Sequence, residues 1–182
     1  MLIKYAAGDI KNLAFPSLVL FVGQYDKISD RRLKSLDEAS SGAVASMLKS
    51  GEFAGKNGEI ASVFRPNGYM CSRVILVGLG ERKKITADSY RRAAGSVSRY
   101  KGLTTSEKAA FYFDKSDKDD FFQAAAEGYL LGSYKLRDFK TGESKKDTDL
   151  LGEITFAVDQ QGSLNRLKKA TQRGLILSLI HI

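Results

Sequence analysis

The sequence predicts an α/β fold in which a mixed β-sheet carries helices on both faces. Short apolar runs that favour strands occur at residues 18–22, 73–77 and 109–113, and segments with helical spacing of apolar residues lie between them. Strands that alternate with helices are typical of a sheet covered on both sides. Residues 59–64 and 73–77 flank the turn-forming segment 65–68, which predicts a hairpin. The sheet is therefore expected to be mixed rather than fully parallel.

The first half of the chain predicts a strand, a helix and the hairpin. Residues 18–22 form a continuous apolar run, which predicts a strand buried on both faces. Apolar residues then recur at helical spacing through residues 33–48, and Gly51 is placed to end that helix. After residues 73–77, the glycines of Gly78-Leu79-Gly80 predict a tight turn that ends the strand.

The second half predicts helices that alternate with strands. Thr86 is a predicted N-cap for a helix with an inward face formed by Tyr90, Ala93, Ala94 and Val97. Residues 116–119 have the spacing of a capping box, which predicts the start of an apolar helix. Residues 135–149 predict a long polar loop, residues 152–158 a strand, and residues 163–173 a basic helix.

The composition narrows the class of protein. With 182 residues, 43% hydrophobic and 27% charged, the chain is predicted to form one globular domain. Its single cysteine, Cys71, excludes an internal disulfide, and its single histidine, His181, excludes a histidine-rich metal site. The apolar run at residues 18–22 is too short for a signal peptide or a membrane span. We therefore expect a cytoplasmic protein without a membrane partner.

Basic residues are concentrated in two parts of the chain, which has a net charge of +8. Residues 81–101 hold seven basic and two acidic side chains, and residues 166–173 form a second basic cluster. Such clusters attract phosphate backbones. The candidate nucleic-acid contacts are Arg91, Arg92, Arg99, Lys168 and Lys169. The alternative is a solvated helix face or a surface that meets an acidic neighbour, and charge patterning favours this alternative.

Three further patterns in the sequence resemble sites of chemistry. The pair Gly78 and Gly80 lacks the third glycine of a dinucleotide-binding fingerprint, and charged residues follow it. Four aspartates at positions 114, 117, 119 and 120 resemble a hard-cation site, but acids at a helix start also complement the helix dipole, which is the favoured interpretation. Cys71 has no histidine partner apart from His181 in the terminal tail. No catalytic, cofactor-binding or metal-binding residue is predicted in this chain.

Several segments match one known family in residues and order. Residues 73–82 read Arg-Val-Ile-Leu-Val-Gly-Leu-Gly-Glu-Arg, and residues 91–95 read Arg-Arg-Ala-Ala-Gly. Residues 36–39 read Leu-Asp-Glu-Ala, and residues 51–56 read Gly-Glu-Phe-Ala-Gly-Lys. Residues 126–134 read Ala-Glu-Gly-Tyr-Leu-Leu-Gly-Ser-Tyr. Together these segments resemble the amino-terminal domain of the leucyl aminopeptidase family, the cytosol aminopeptidases.

The resemblance implies a macro-domain-like α/β fold that stands ahead of a catalytic domain. Family members remove amino-terminal residues from peptides with two divalent metal ions, zinc or manganese, and assemble as hexamers with this domain at the periphery. The metal-binding motifs of the family do not occur here, so residues 1–176 are expected to be the non-catalytic amino-terminal domain, with the catalytic domain absent. The chain's expected role is contact with its own catalytic domain and with other subunits.

The terminal segment and the alternative functions give two further expectations. Residues 177–182 resemble translated adapter DNA from sequencing libraries and are expected to be a non-native tail; the alternative is an accidental apolar tail. The alternative functions are DNA binding through the basic helix faces and nucleotide or ADP-ribose binding, which the macro-like architecture suggests.

Overall fold

The computed structural model describes residues 2–24, 28, 30–133 and 152–181, with side chains described as far as Leu177. The strands are β1 (Leu2–Ala7), β2 (Ser17–Gln24), β3 (Ile60–Phe64), β4 (Arg73–Glu81), β5 (Lys108–Phe113) and β6 (Glu153–Val158). The helices are α1 (Arg31–Ala39), α2 (Ala43–Ser50), α3 (Ala87–Val97), α4 (Lys101–Thr104), α5 (Asp119–Ser133) and α6 (Leu164–His181). None of the described helices is both long and apolar enough to cross a membrane.

The six strands form one mixed sheet in the order β1-β6-β5-β2-β4-β3. All neighbouring strands are parallel except β3, which pairs antiparallel with β4, as the hairpin pattern predicts. Alternate residues of β2 enter two separate cores: Val19 and Phe21 pack with residues of α3, α5 and α6, whereas Leu20 packs with residues of α1 and α2. Helices therefore cover both faces of the sheet, and the predicted fold class is confirmed.

The predicted helix over residues 33–48 is wrong in one respect, because the structure divides it into α1 and α2. Ser41 and Gly42 separate the two helices with φ angles of 55° and 83°. The Asp37 side chain accepts a hydrogen bond from the backbone N–H of Ala45 at 2.8 Å, which fixes the second helix against the first. The apolar spacing continues across the break, so periodicity alone did not reveal it.

The glycines of β4 have a different role from the predicted one. The strand continues to Glu81, so no turn ends it at Gly78-Leu79-Gly80. A Cβ atom on Gly78 would overlap the carbonyl oxygen of Lys56, and Gly80 has a φ angle of 84°. Gly78 is thus required because the segment that precedes β3 crosses close to the strand.

Several predicted features of α3 and α6 can be compared with the structure. Thr86 is the N-cap of α3, as predicted, and its backbone N–H donates a hydrogen bond to Ser89 Oγ in a capping box. The inward face predicted for α3, formed by Tyr90, Ala93, Ala94 and Val97, is buried. The predicted basic helix over residues 163–173 is longer, because α6 extends to His181. Strand β1 was not predicted, and the predicted loop at residues 135–149 lies outside the described residues.

Candidate functional site

A cleft with a volume of about 810 Å³ opens at the carboxyl ends of the parallel strands. Gly23 of β2, Leu79 of β4 and Tyr112 of β5 line it, together with Asp114 and Asp159, which follow β5 and β6. After β2, the chain forms β3 and β4 on one side of that strand and then β5 on its other side. Ligands of open α/β sheets bind where the strand order reverses in this way.

An ion pair between Arg32 and Asp30 forms one wall of the cleft. Nη2 of Arg32 lies 2.8 Å from Oδ2 of Asp30, and Nε lies 3.2 Å from Oδ1. The same carboxylate caps α1 by accepting a hydrogen bond from the backbone N–H of Arg32 at 2.8 Å. Burial alone would raise the pKa of Asp30, but the hydrogen bonds and charge of Arg32 outweigh burial and lower it. The carboxylate is therefore held ionised by its neighbour.

Two aspartates of the cleft have pKa values shifted in opposite directions. Burial raises the pKa of Asp117, although its carboxylate accepts hydrogen bonds from the hydroxyl of Tyr90 and the backbone N–H of Asp114, both at 2.9 Å. Burial would also raise the pKa of Asp114, but hydrogen bonds from Ser116 lower it. The Ser116 hydroxyl donates to Asp114 Oδ1 at 2.6 Å. The predicted capping box at residues 116–119 is wrong, because α5 begins at Asp119 and Ser116 lies three residues before it.

Tyr112 and Asp159 also line the cleft. Burial raises the pKa of the Tyr112 phenol, and the carboxylates of Asp159 and Asp9 raise it further. The Tyr112 hydroxyl donates a hydrogen bond to the carbonyl oxygen of Gly8 at 3.4 Å. Burial and the charge of Asp114 raise the pKa of Asp159, and no described residue hydrogen-bonds to its buried Oδ1 atom. The cleft thus combines charged and neutral hydrogen-bonding groups in partly desolvated positions.

The described residues do not fit a metal centre. They contain no group of three His, Cys, Asp or Glu side chains placed to hold one ion. Three of the aspartates already have protein partners: Asp30 binds Arg32, Asp117 binds Tyr90, and Asp119 binds Arg166 at 2.7 Å. Asp119 and Asp120 lie in the first turn of α5, where carboxylates complement the helix dipole.

The five candidate nucleic-acid contacts do not form one surface in the structure. Arg91 pairs with Glu127 at 2.7 Å, and Arg92 pairs with Asp88 at 2.7 Å. Arg99 is exposed beyond the end of α3, whereas Lys168 lies on α6 with its Nζ 6.0 Å from the ring centroid of Tyr5. Lys169 is exposed on α6, and α5 packs against both α3 and α6 and so separates them. Nucleic-acid binding stays a prediction, and the ion pairs favour a structural role for Arg91.

The sequence patterns did not predict the ion pairs of Glu127 and Arg32. Glu127 interrupts the apolar segment 122–130, and an acid on a buried helix face indicates a partner on another element. Arg32 had a weaker signal, since only its position two residues after a capping aspartate distinguishes it from other surface arginines.

The sequence profile of the cytosol aminopeptidase family, N-terminal domain, matches residues 19–143. The chain belongs to the cytosol aminopeptidase family. The match covers most of the sheet and its flanking helices, including β2, β4, β5 and the residues that surround the cleft from Gly23 to Phe121. The resemblance of these sequence segments to the amino-terminal domain of this family is confirmed.

Curated relatives in the cytosol aminopeptidase family are much longer than this chain. The probable cytosol aminopeptidase of Solibacter usitatus is 35% identical over 133 residues, which is 72% of this chain and 26% of that protein. The probable cytosol aminopeptidase of Bdellovibrio bacteriovorus is 32% identical over 179 residues, which is 94% of this chain and 34% of that protein. The chain thus spans about a third of the length of such relatives.

Two solved structures share the fold of this chain. A tomato leucine aminopeptidase mutant superposes with a TM-score of 0.73 and 15% identity, covering 98% of this chain and 36% of that one. The bottromycin maturation enzyme BotP superposes with a TM-score of 0.62 and 17% identity, covering 91% of this chain and 30% of that one. At these identities the comparison shows a common fold.

Proposed function

We propose that this chain is the amino-terminal, structural domain of a metal-dependent cytoplasmic aminopeptidase that removes amino-terminal residues from peptides. In this proposal the two divalent metal ions, zinc or manganese, are bound by a separate catalytic domain. The amino-terminal domain contacts that catalytic domain and other subunits of a hexamer. The observation that carries the proposal is the match of residues 19–143 to the amino-terminal domain of the family.

The chemistry of the cleft supports a structural role for the chain itself. Hydrolysis by metal ions needs carboxylates and other donors that are free to coordinate and to activate water. Here Asp30 is committed to Arg32, and Asp117 accepts hydrogen bonds from Tyr90 and the Asp114 backbone. The Tyr90–Asp117 hydrogen bond joins α3 to the segment after β5, and the Asp30–Arg32 pair caps α1, so both interactions have structural roles.

The test compares this chain with a longer one that includes the catalytic half encoded by the source gene. Both are incubated with a chromogenic leucine substrate and with Mn²⁺ or Zn²⁺. We expect hydrolysis only by the longer chain, and loss of that hydrolysis when a chelator removes the metal. An N-acetylated leucine substrate serves as the control, because it lacks the free amino group. Metal-dependent hydrolysis by the 182-residue chain alone would overturn the proposal.

A further inference from the structure

Among the described strands, β3 lies at an edge of the sheet and lacks the charged residues and proline that often protect an edge strand from pairing. It lies at the end of the strand order, and β4 is its partner among the described strands. Its sequence, Ile-Ala-Ser-Val-Phe, contains neither a charged residue nor proline. Edge strands are normally protected by such residues, because their free backbone groups pair with other strands. The opposite edge, β1, has this protection in Lys4.

The hydrogen-bonding pattern shows which backbone groups of β3 point outwards. The N–H of Arg65 donates to the carbonyl of Ser72, and the carbonyl of Glu59 accepts from the N–H of Gly78, both at 2.9 Å. In antiparallel strands, residues that bond to one neighbour alternate with residues that face the other side. The N–H and C=O groups that face away from β4 are therefore those of Ile60, Ser62 and Phe64. No described residue hydrogen-bonds to them from that side.

We propose that β3 pairs antiparallel with β3 of a second copy of this chain, about a twofold axis at Ser62. In this register Ser62 faces Ser62 of the second copy, and Ile60 faces Phe64 of the second copy. All three outward-facing residues then lie in hydrogen-bonded positions, and each facing pair exchanges two backbone hydrogen bonds. The two sheets become one continuous sheet, which satisfies the free edge of both copies.

Charge complementarity favours a second copy in this orientation. The strand is preceded by Glu59 and followed by Arg65, so antiparallel pairing about Ser62 sets Glu59 of each copy opposite Arg65 of the other. A parallel pair in register would instead bring like charges together, which is unfavourable. Glu59 keeps its present role, since its Oε2 atom accepts hydrogen bonds from the backbone N–H groups of Ala54 and Lys56 at 2.9 and 3.1 Å.

Phe64 supplies apolar contact for the same pair. It is 64% exposed, and the guanidinium carbon of Arg73 lies 4.6 Å from its ring centroid. Facing residues of an antiparallel pair project to the same side of the sheet, so Phe64 would cover the half-buried Ile60 of the second copy. Pairing thus buries an aromatic side chain that is otherwise in water.

This inference rests on the subunit-contact role in the proposed function and gives that contact a location. A single five-residue strand buries less area than a stable dimer usually needs, so the isolated chain should associate weakly. In a hexamer, simultaneous contacts elsewhere would strengthen the same pairing. Failure of the pairing would leave the peptidase assay unaffected, so the two proposals are tested separately.

The first measurement is analytical ultracentrifugation of the 182-residue chain between about 10 µM and 1 mM, the range in which weak dimers form. We expect the average mass to rise from 20.0 kDa towards twice that value. The variant Phe64→Lys should remain monomeric over the range. The matched control is Leu2→Lys, which makes the same kind of change at a residue 54% exposed on the opposite edge and should associate like the wild type. A monomer at every concentration, or equal loss of association in both variants, would overturn the proposal.

The second measurement is amide hydrogen exchange at the two ends of that concentration range. The amides of Ile60, Ser62 and Phe64 should exchange more slowly in the concentrated sample, whereas those of Ala61 and Val63 should be protected at both concentrations. This alternation is specific to pairing through the β3 edge. Dimer formation without it would mean that another surface associates, and would refute the β3 contact.

Discussion

Arg91 of α3 and Glu127 of α5 form a charge-assisted contact that joins the two helices. Nη2 and Nε of Arg91 lie 2.7 and 3.0 Å from Oε2 of Glu127, while Gln123 donates to Oε1 at 2.9 Å. The Glu127 side chain is only 10% exposed, so both of its oxygens need protein partners. Hydrogen bonding and the charge of Glu127 raise the pKa of Arg91, which stays a cation.

The substitution Arg91→Ala should destabilise the chain by about 2 kcal/mol, because it leaves a nearly buried carboxylate without its charged donor. The matched control is Arg92→Ala, since Arg92 is 72% exposed and pairs with Asp88 at the surface. Its loss should change the free energy of unfolding by less than about 0.5 kcal/mol. Urea denaturation at neutral pH measures both values. Equal effects of the two substitutions would contradict a structural role for Arg91.

The substitution Gly128→Ala should destabilise the contact between α3 and α5. A Cβ atom at Gly128 would overlap the carbonyl oxygen of Arg91, so the helices would have to move apart. We expect a net loss of about 2 kcal/mol despite the better helix propensity of alanine. Gly162→Ala is the control, because no atom lies within 4 Å of its added Cβ. Thermal unfolding compares the two variants, and similar melting temperatures would refute the close-packing argument.

The substitution Asp30→Asn should remove a stabilising charge while it keeps the side-chain oxygen that caps α1. The pKa of Asp30 is lowered from 3.8 in the folded chain, so its charge stabilises the fold above that pH and the effect is lost as pH falls through the lowered pKa. At pH 7 the variant should be less stable by about 2 kcal/mol. Urea denaturation from neutral to strongly acidic pH should show the two curves converge. A constant difference would mean that the ion pair is not its cause.

The substitution Tyr112→Phe should reduce the sensitivity of the chain to alkaline pH. The pKa of Tyr112 is raised above 10.0 in the folded chain, so the unfolded chain loses this proton first as pH rises. The stabilisation from the protonated phenol is complete below pH 10.0 and declines above it. The free energy of unfolding of the wild type should therefore fall relative to that of the variant above this pH. Parallel curves would show that the phenol stays accessible to solvent in the folded chain.

The strands that lie at the centre of the sheet could be predicted because they carry their own signal. Residues 18–22 and 109–113 are apolar without interruption, which is typical of a strand buried on both faces. The inward face of α3 follows in the same way from the spacing of Tyr90, Ala93 and Val97. In contrast, β1 alternates weakly and became a strand because β6 was available as a partner.

The candidate site depended on contacts between distant parts of the chain. The aspartates after β5 were recognised as a cluster, but their partners come from elsewhere: Tyr90 of α3 binds Asp117, and Arg32 of α1 lies near both. Sequence spacing does not reveal which side chains meet at the carboxyl ends of parallel strands. The opposite pKa shifts of Asp114 and Asp117 arise from burial and from contacts with these side chains, and so they were not predictable.

By itself the sequence determined the fold class, the buried strands and the family, because periodicity and short segments that resemble the family are local properties of the chain. Only the tertiary structure decided the break at Ser41 and Gly42, the crossing over Gly78 and the pairing of Arg91 with Glu127. The crossing over Gly78 and the Arg91–Glu127 pair depend on atoms that are distant in sequence and close in space. Packing, hydrogen bonding and desolvation act between atoms that are close in space. The order of residues along the chain does not show which atoms these are.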